Sequence, residues 1–132
     1  MKNPEEFVVL TDVISKEPLG PLVRHGDNNW ADVGRWTLNA LISAEELGVT
    51  QANVDQMLNS TNPEIKRLLG AEGDLGTKVG LTNKWAYNII KQIGNYGESF
   101  ERNVGQGSPL KLDRGANALW TKGGLMYPIP LR

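Results

Sequence analysis

Residues Phe7–Trp36, FVVLTDVISKEPLGPLVRHGDNNWADVGRW, decide how the chain is read. A short apolar run, Phe7 to Leu10 with Val13 and Ile14 behind it, is dominated by β-branched side chains and predicts a buried strand. Ser15 to Pro21 follows, where Pro18 and Pro21 remove backbone donors and Gly20 lowers the steric barriers between them. Leu22–Val23–Arg24 resumes an extended path, and the chain then enters an amphipathic helix. Two readings stay open on these residues alone: a strand–loop–strand unit, or a segment that leaves one lobe, crosses a hinge and enters another. With six residues, Met1 to Glu6, ahead of Phe7, the expectation is of a chain that starts in the middle of a fold.

Beyond this stretch the pattern is helical. Asp27 and Asn29 are both suited to cap a helix. Trp30, Val33, Thr37, Ala40, Leu41 and Ala44 recur at spacings of three and four, and Gly48 suits the C′ position. Glu45 and Glu46, at the negative end of the helix dipole, read as a solvated face. Thr50 is placed to cap a segment burying Val54, Met57 and Leu58. Asn62–Pro63–Glu64 reads as cap, first helical residue and favourable first-turn charge, ahead of Ile65, Leu68 and Leu69. Residues 70–80 carry enough glycine to read as loop. The longest helix is expected from near Thr82, with Trp85, Ile89, Ile93, Tyr96 and Phe100 on one stripe; Gly94 and Gly97 mark a bend or a close helix contact. Arg114 to Trp120 reads as about two helical turns. The apolar ending, Leu125 to Leu131, is expected to pack along the body.

Composition narrows the function. The 132 residues suffice for one modest domain. Fourteen basic and 15 acidic residues give a net charge of −1, with no basic block to hold a nucleic-acid backbone or an anionic membrane. There is no cysteine, hence no disulfide, thiolate metal site or thiol nucleophile. No apolar stretch nears the roughly 20 residues of a membrane-spanning helix, and MKNPEEF carries no secretory h-region. As written, the chain is therefore expected in the cytoplasm.

No residue earns a catalytic, metal or cofactor assignment. His25, the single histidine, sits in a loop, too isolated for a Ser-His-Asp arrangement. Asp27, Asp32, Glu45 and Glu46 do not match a calcium loop. Gly70–Gly76 lacks the Gly-Lys-Ser/Thr end of a phosphate loop, and Glu72 and Asp74 repel phosphate. Trp30, Trp36, Trp85 and Trp120 lack a basic groove beside them, so packing explains them better than stacking.

Six strings carry a resemblance: VISKEPLGPLVRHGDNNW, AEELGVT, NPEIKRLLG, WAYNIIKQIGNYGESFERNVG, SPLKLDRGANALWTKGGL and YPIPLR. In this order they resemble the C-terminal part of the general L-amino-acid-binding proteins of bacterial ABC transporters, periplasmic receptors with two α/β lobes of type II architecture. The resemblance runs from about Asn3 to Arg132 and selects the hinge reading. It implies residues 1–14 as the end of lobe two, 15–24 as the hinge crossing, and 25–132 as the C-terminal helical part of lobe one with a packed tail. The fragment itself should be mainly α-helical with one or two extended N-terminal strands. The family's parent proteins bind L-amino acids and a membrane permease in the periplasm. Its ligand motifs are an arginine of lobe one for the α-carboxylate and an aspartate of lobe two for the α-amino group. The resemblance places both upstream of Met1, and nothing from Met1 onward aligns with them. Arg24 and Asp12 have the charges but lie in the wrong segments. The expectation is thus a non-enzymatic receptor fragment with no ligand-binding residues of its own, not ligand-competent alone, and prone to self-association. The alternatives are a helical protein-interaction module and, with no support from any spacing, a hydrolase using carboxylates.

Overall fold

In the computed structural model, which describes residues 3–8, 10–12, 14, 15 and 17–131, the helical body begins at Asp27. Its carboxylate accepts from the Trp30 amide at 3.1 Å and opens helix α1, Asn28–Glu46. Of the two candidate caps the molecule uses Asp27; Asn29 lies inside the first turn. The far end closes as the sequence suggests. Gly48 takes φ 68°, its N–H donates to Glu45 O at 3.1 Å, and Val49 N–H donates to Ala44 O at 2.7 Å. That pair of bonds satisfies carbonyls the helix leaves open.

Helix α2, Val54–Met57, is short. Thr50 and Asn53 share its start: each backbone N–H donates to the other's side-chain oxygen, at 2.7 and 3.2 Å. Helix α3, Pro63–Leu68, has Asn62 as its cap, accepting from Glu64 N–H at 2.8 Å, and Gly70 at C′ with φ 72°. Within the glycine-rich stretch read as loop, one turn of helix forms, α4, Leu75–Lys78.

The single long helix expected from Thr82 is two helices. Helix α5, Trp85–Ile93, ends at Gly94 with φ 78° and ψ −171°, a backbone state that only glycine enters without strain. Asn95 then starts helix α6, Tyr96–Asn103, through a capping box with Glu98. The stripe from Trp85 to Phe100 therefore bends at Gly94, and α1 is the longest helix among the described residues. Residues 114–120 form no α-helix. They give two 3₁₀ turns, Gly115–Asn117 and Trp120–Lys122, with a lone bridge between Leu119 and Met126.

Helix α1 is the centre of the packing, contacting α3, α5 and α6, while α2 rests on α5. Ala40, Leu41 and Ala44 meet Val49, Val54, Ile65, Leu68, Leu69, Trp85, Ala86 and Ile90 in one buried cluster. These are largely the apolar positions that the helical spacing selects. The mainly helical expectation holds.

The N-terminal run differs. Among the described residues from 3 to 24 there is no strand, and Pro4–Glu6 makes the one 3₁₀ turn of this stretch. A strand is defined by its neighbour, and the described residues contain no second strand to complete a ladder with it. Met1, Lys2, Val9, Val13, Lys16 and Arg132 lie outside the described residues. The expectations that fall on them, the start of the chain at Met1 and the two valines of the strand, therefore have no structural counterpart here.

Candidate functional site

Among the described residues, the apolar side chains of the N-terminal run do not join the core. Phe7, Val8, Leu10 and Leu19 are exposed, and Ile14 and Leu22 are 97% and 98% exposed. Trp30, in the first turn of α1, is also exposed. Arg24, His25 and Asp12 stand in the same exposed region. The Arg24 carbonyl accepts from Asp27 N–H at 3.2 Å, shaping the turn ahead of α1.

The strongest polar constellation joins the C-terminal segment to α1, and the sequence reading missed it. Arg114 forms two parallel bonds to Glu45, Nη1 to Oε1 and Nη2 to Oε2, each 3.0 Å. Nη2 and Nε also donate to Asn117 O, at 2.8 and 3.2 Å. The guanidinium lies 5.4 Å from the Tyr96 ring centre and 5.1 Å from that of Phe100. Burial pushes the Tyr96 hydroxyl above its usual pKa. Gly97 makes room for this cluster, since a Cβ there would sit 2.9 Å from both Arg114 Nη1 and the Glu45 carboxyl carbon. The expectation of a close contact at this glycine is met. Glu45 is thus buried in an ion pair, not solvated, and Glu46 accepts from Trp120 Nε1 at 3.1 Å. Their partners lie 69 and 74 residues away in sequence, beyond any local pattern.

A second, exposed cluster links α2 to α5. Tyr87 donates to Asp55 Oδ1 at 2.7 Å, and Lys91 pairs with Asp55 Oδ2. The Lys91 and Tyr87 hydrogen bonds hold the Asp55 carboxyl below its usual pKa, and the bond to Asp55 raises both Tyr87 and Lys91. It ties two helices together.

A cleft of about 230 Å³ lies between α1, α3 and the tail, bordered by Ser43, Glu46, Glu64, Arg67, Pro128 and Leu131. The Nε of Arg67 is buried with no partner among the described residues. The tryptophans do not share one face. Trp85 is buried, Trp36 packs on the core beside it, and Trp30 lines a separate open groove. Among the described residues no three His, Asp or Glu side chains gather as a metal site. Nor is any helix there long and apolar enough to cross a membrane.

No family model matches the chain. Its relatives are specific nonetheless. It is 63% identical, over its whole length, to 39% of the general L-amino acid-binding periplasmic protein AapJ of Rhizobium johnstonii. It is 56% identical to 39% of the putative amino-acid ABC transporter-binding protein YhdW of Escherichia coli. The same figures relate it to the glutamate/glutamine/aspartate/asparagine-binding protein BztA of Rhodobacter capsulatus. In three dimensions, 98% of the chain superposes on 41% of a Brucella ovis ABC-transporter periplasmic binding protein with glutathione bound, at a TM-score of 0.91 and 62% identity. The chain spans about two-fifths of the length of the curated relatives it matches. All of them are named as binding proteins and none as an enzyme. By sequence and by fold, the chain is similar to about two-fifths of the binding proteins of bacterial ABC transporters, of the type II periplasmic fold.

Proposed function

We propose that the chain supplies the helical part of lobe one of such a receptor for amino-acid uptake, and that it does not hold an amino acid alone. In this reading residues 1–14 end lobe two, 15–24 make the hinge crossing, and 25–132 form the lobe-one body with its tail. The receptor's ligand set then belongs to sequence that would precede Met1, and the chain contributes no ligand residue of its own. The receptor would work in the periplasm beside a membrane permease. The observation that carries the reading is 56–63% identity over the whole chain to two-fifths of amino-acid-binding proteins. A zwitterion needs two opposed counter-charges held away from water. The most buried ion pair among the described residues, Arg114–Glu45, is already closed on itself, and Arg24 and Asp12 are both exposed. Titration calorimetry with a panel of L-amino acids and glutathione should register no binding at micromolar ligand. A micromolar Kd for any of them refutes the claim that the chain is incompetent alone.

The exposed apolar residues between Phe7 and Leu22 favour a second property, self-association. Unpaired backbone and apolar side chains together form a template for another chain. Light scattering after size exclusion is expected to show oligomers at micromolar concentration, and Phe7→Lys with Leu10→Lys should shift them to monomer. A monomeric parent chain would remove this property and leave the receptor reading untouched.

A further inference from the structure

The N-terminal run has the side chains of a sheet strand and no sheet to enter among the described residues. In sequence, Val8, Leu10 and Ile14 fall on one face of a period-two strand, and Phe7, Val9 and Val13 on the other, with Thr11 and Asp12 the polar exceptions. A strand apolar on both faces suits a parallel sheet covered by helices on both sides. Yet Phe7, Val8, Leu10 and Ile14 are all exposed, and among the described residues no backbone hydrogen bond ties 7–23 to the helical body. The core draws on residues from Trp36 onward, so the run is not needed to hold that body together. What lies beside the run is indicated by the superposition. It takes in 98% of this chain, hence nearly all of the run, but only 41% of the Brucella ovis binding protein. The polypeptide available to cover the run there is the remaining three-fifths of that chain.

We propose that the segment carrying Phe7, Val8, Leu10 and Ile14 is a docking strand. Its partner is the open edge of an α/β sheet with helices on both faces, supplied by the remaining three-fifths of a receptor of the matched kind, in one chain with it or as a separate one. The backbone extends the partner's ladder, and the side chains bury to either side of the sheet. This rests on the receptor reading and names the partner of the run. Self-association through the same side chains is what the run does when that partner is not there.

The test mixes the full chain with the other three-fifths of AapJ, made as a separate polypeptide. A complex is expected at micromolar concentration, and it should dissolve the chain's own oligomers. Leu10→Lys with Ile14→Lys should weaken the complex at least about 100-fold, since burying each side chain is worth about tenfold or more. Both side chains are exposed, so circular dichroism should show the helical body of that variant intact. Amide exchange separates strand pairing from apolar sticking: in the complex it must slow at least about tenfold at alternate amides between Phe7 and Ile14. No complex, a complex indifferent to the two lysines, or one without slowed exchange overturns the proposal. Should the separate polypeptide not stay in solution, a single chain decides, in which residues 1–132 replace the matched part of AapJ. Exchange between Phe7 and Ile14 must be slower in that hybrid than in the chain alone, and unchanged exchange overturns the proposal. The hybrid also keeps the two claims apart. Protection without amino-acid binding refutes the receptor reading, and amino-acid binding without protection refutes the docking strand.

Discussion

Replacing Arg114 with alanine is expected to lower the stability of the chain by about 3–5 kcal/mol, the cost of removing one partner from a buried ion pair. The side chains of Arg114 and Glu45 are only 18% and 9% exposed, so solvent screens little of their interaction. Deletion leaves the largely buried Glu45 carboxylate without its partner, the Tyr96 and Phe100 rings without the cation stacked on them, and Asn117 O without its two donors. It also opens a gap where the guanidinium stacked on two rings. A domain of this size commonly has about 5–15 kcal/mol in all, so the variant should lose a large share of its margin. By thermal melting the midpoint should fall by about 10–20 °C. Arg114→Lys should recover only part, because an ammonium cannot make the paired bonds or the ring contacts. Urea titration gives the number. A loss under about 1 kcal/mol, the range of exposed pairs such as Lys78–Asp74, would mean the pair is solvated in solution.

That cluster shows which parts of the molecule could be read from its sequence. Caps and helix ends are short-range physics: Asn62, Pro63 and Glu64 form a start, and Gly48 and Gly70 form ends, through bonds spanning a few residues. The apolar spacing of α1 and α3 selects side chains that do enter the core. Two elements differ from the sequence reading, one through competing local patterns and one for want of a partner. The stripe from Trp85 to Phe100 fits one helix, but the Asn95–Glu98 capping box and the φ of Gly94 favour a break. The apolar run at Phe7 has strand composition, yet composition cannot provide a ladder partner. Glu45 and Glu46 look solvated because their partners, Arg114 and Trp120, are brought to them only by the tertiary fold. The absence of a ligand set is what the family resemblance implies, since no residue pattern here carries it, and calorimetry with amino acids tests it.

Gly70 and Gly48 make a matched pair whose alanine variants should differ sharply. Both stand at C′ behind a helix with similar positive φ, 72° and 68°, and both close their helix by the same two backbone bonds. An alanine in that conformation costs about 1–2 kcal/mol from its Cβ alone. At Gly48 nothing else lies within 4 Å, so Gly48→Ala should lose about that much. At Gly70 a Cβ would fall 2.0 Å from Asn83 O and 2.5 Å from Asn83 C. Those are backbone atoms leading into α5, and no side-chain rotation can relieve the overlap. Overpacking of this sort adds about 1–3 kcal/mol, for a total loss of about 2–5 kcal/mol. The excess measures how firmly residues 83–85 are held against the end of α3, since Trp85 and Ile90 fix α5 in the core just beyond. Urea unfolding of the two variants side by side reads the difference directly. Equal losses would mean that the Asn83 backbone yields freely, and that the seating of α5 does not depend on the close approach at Gly70.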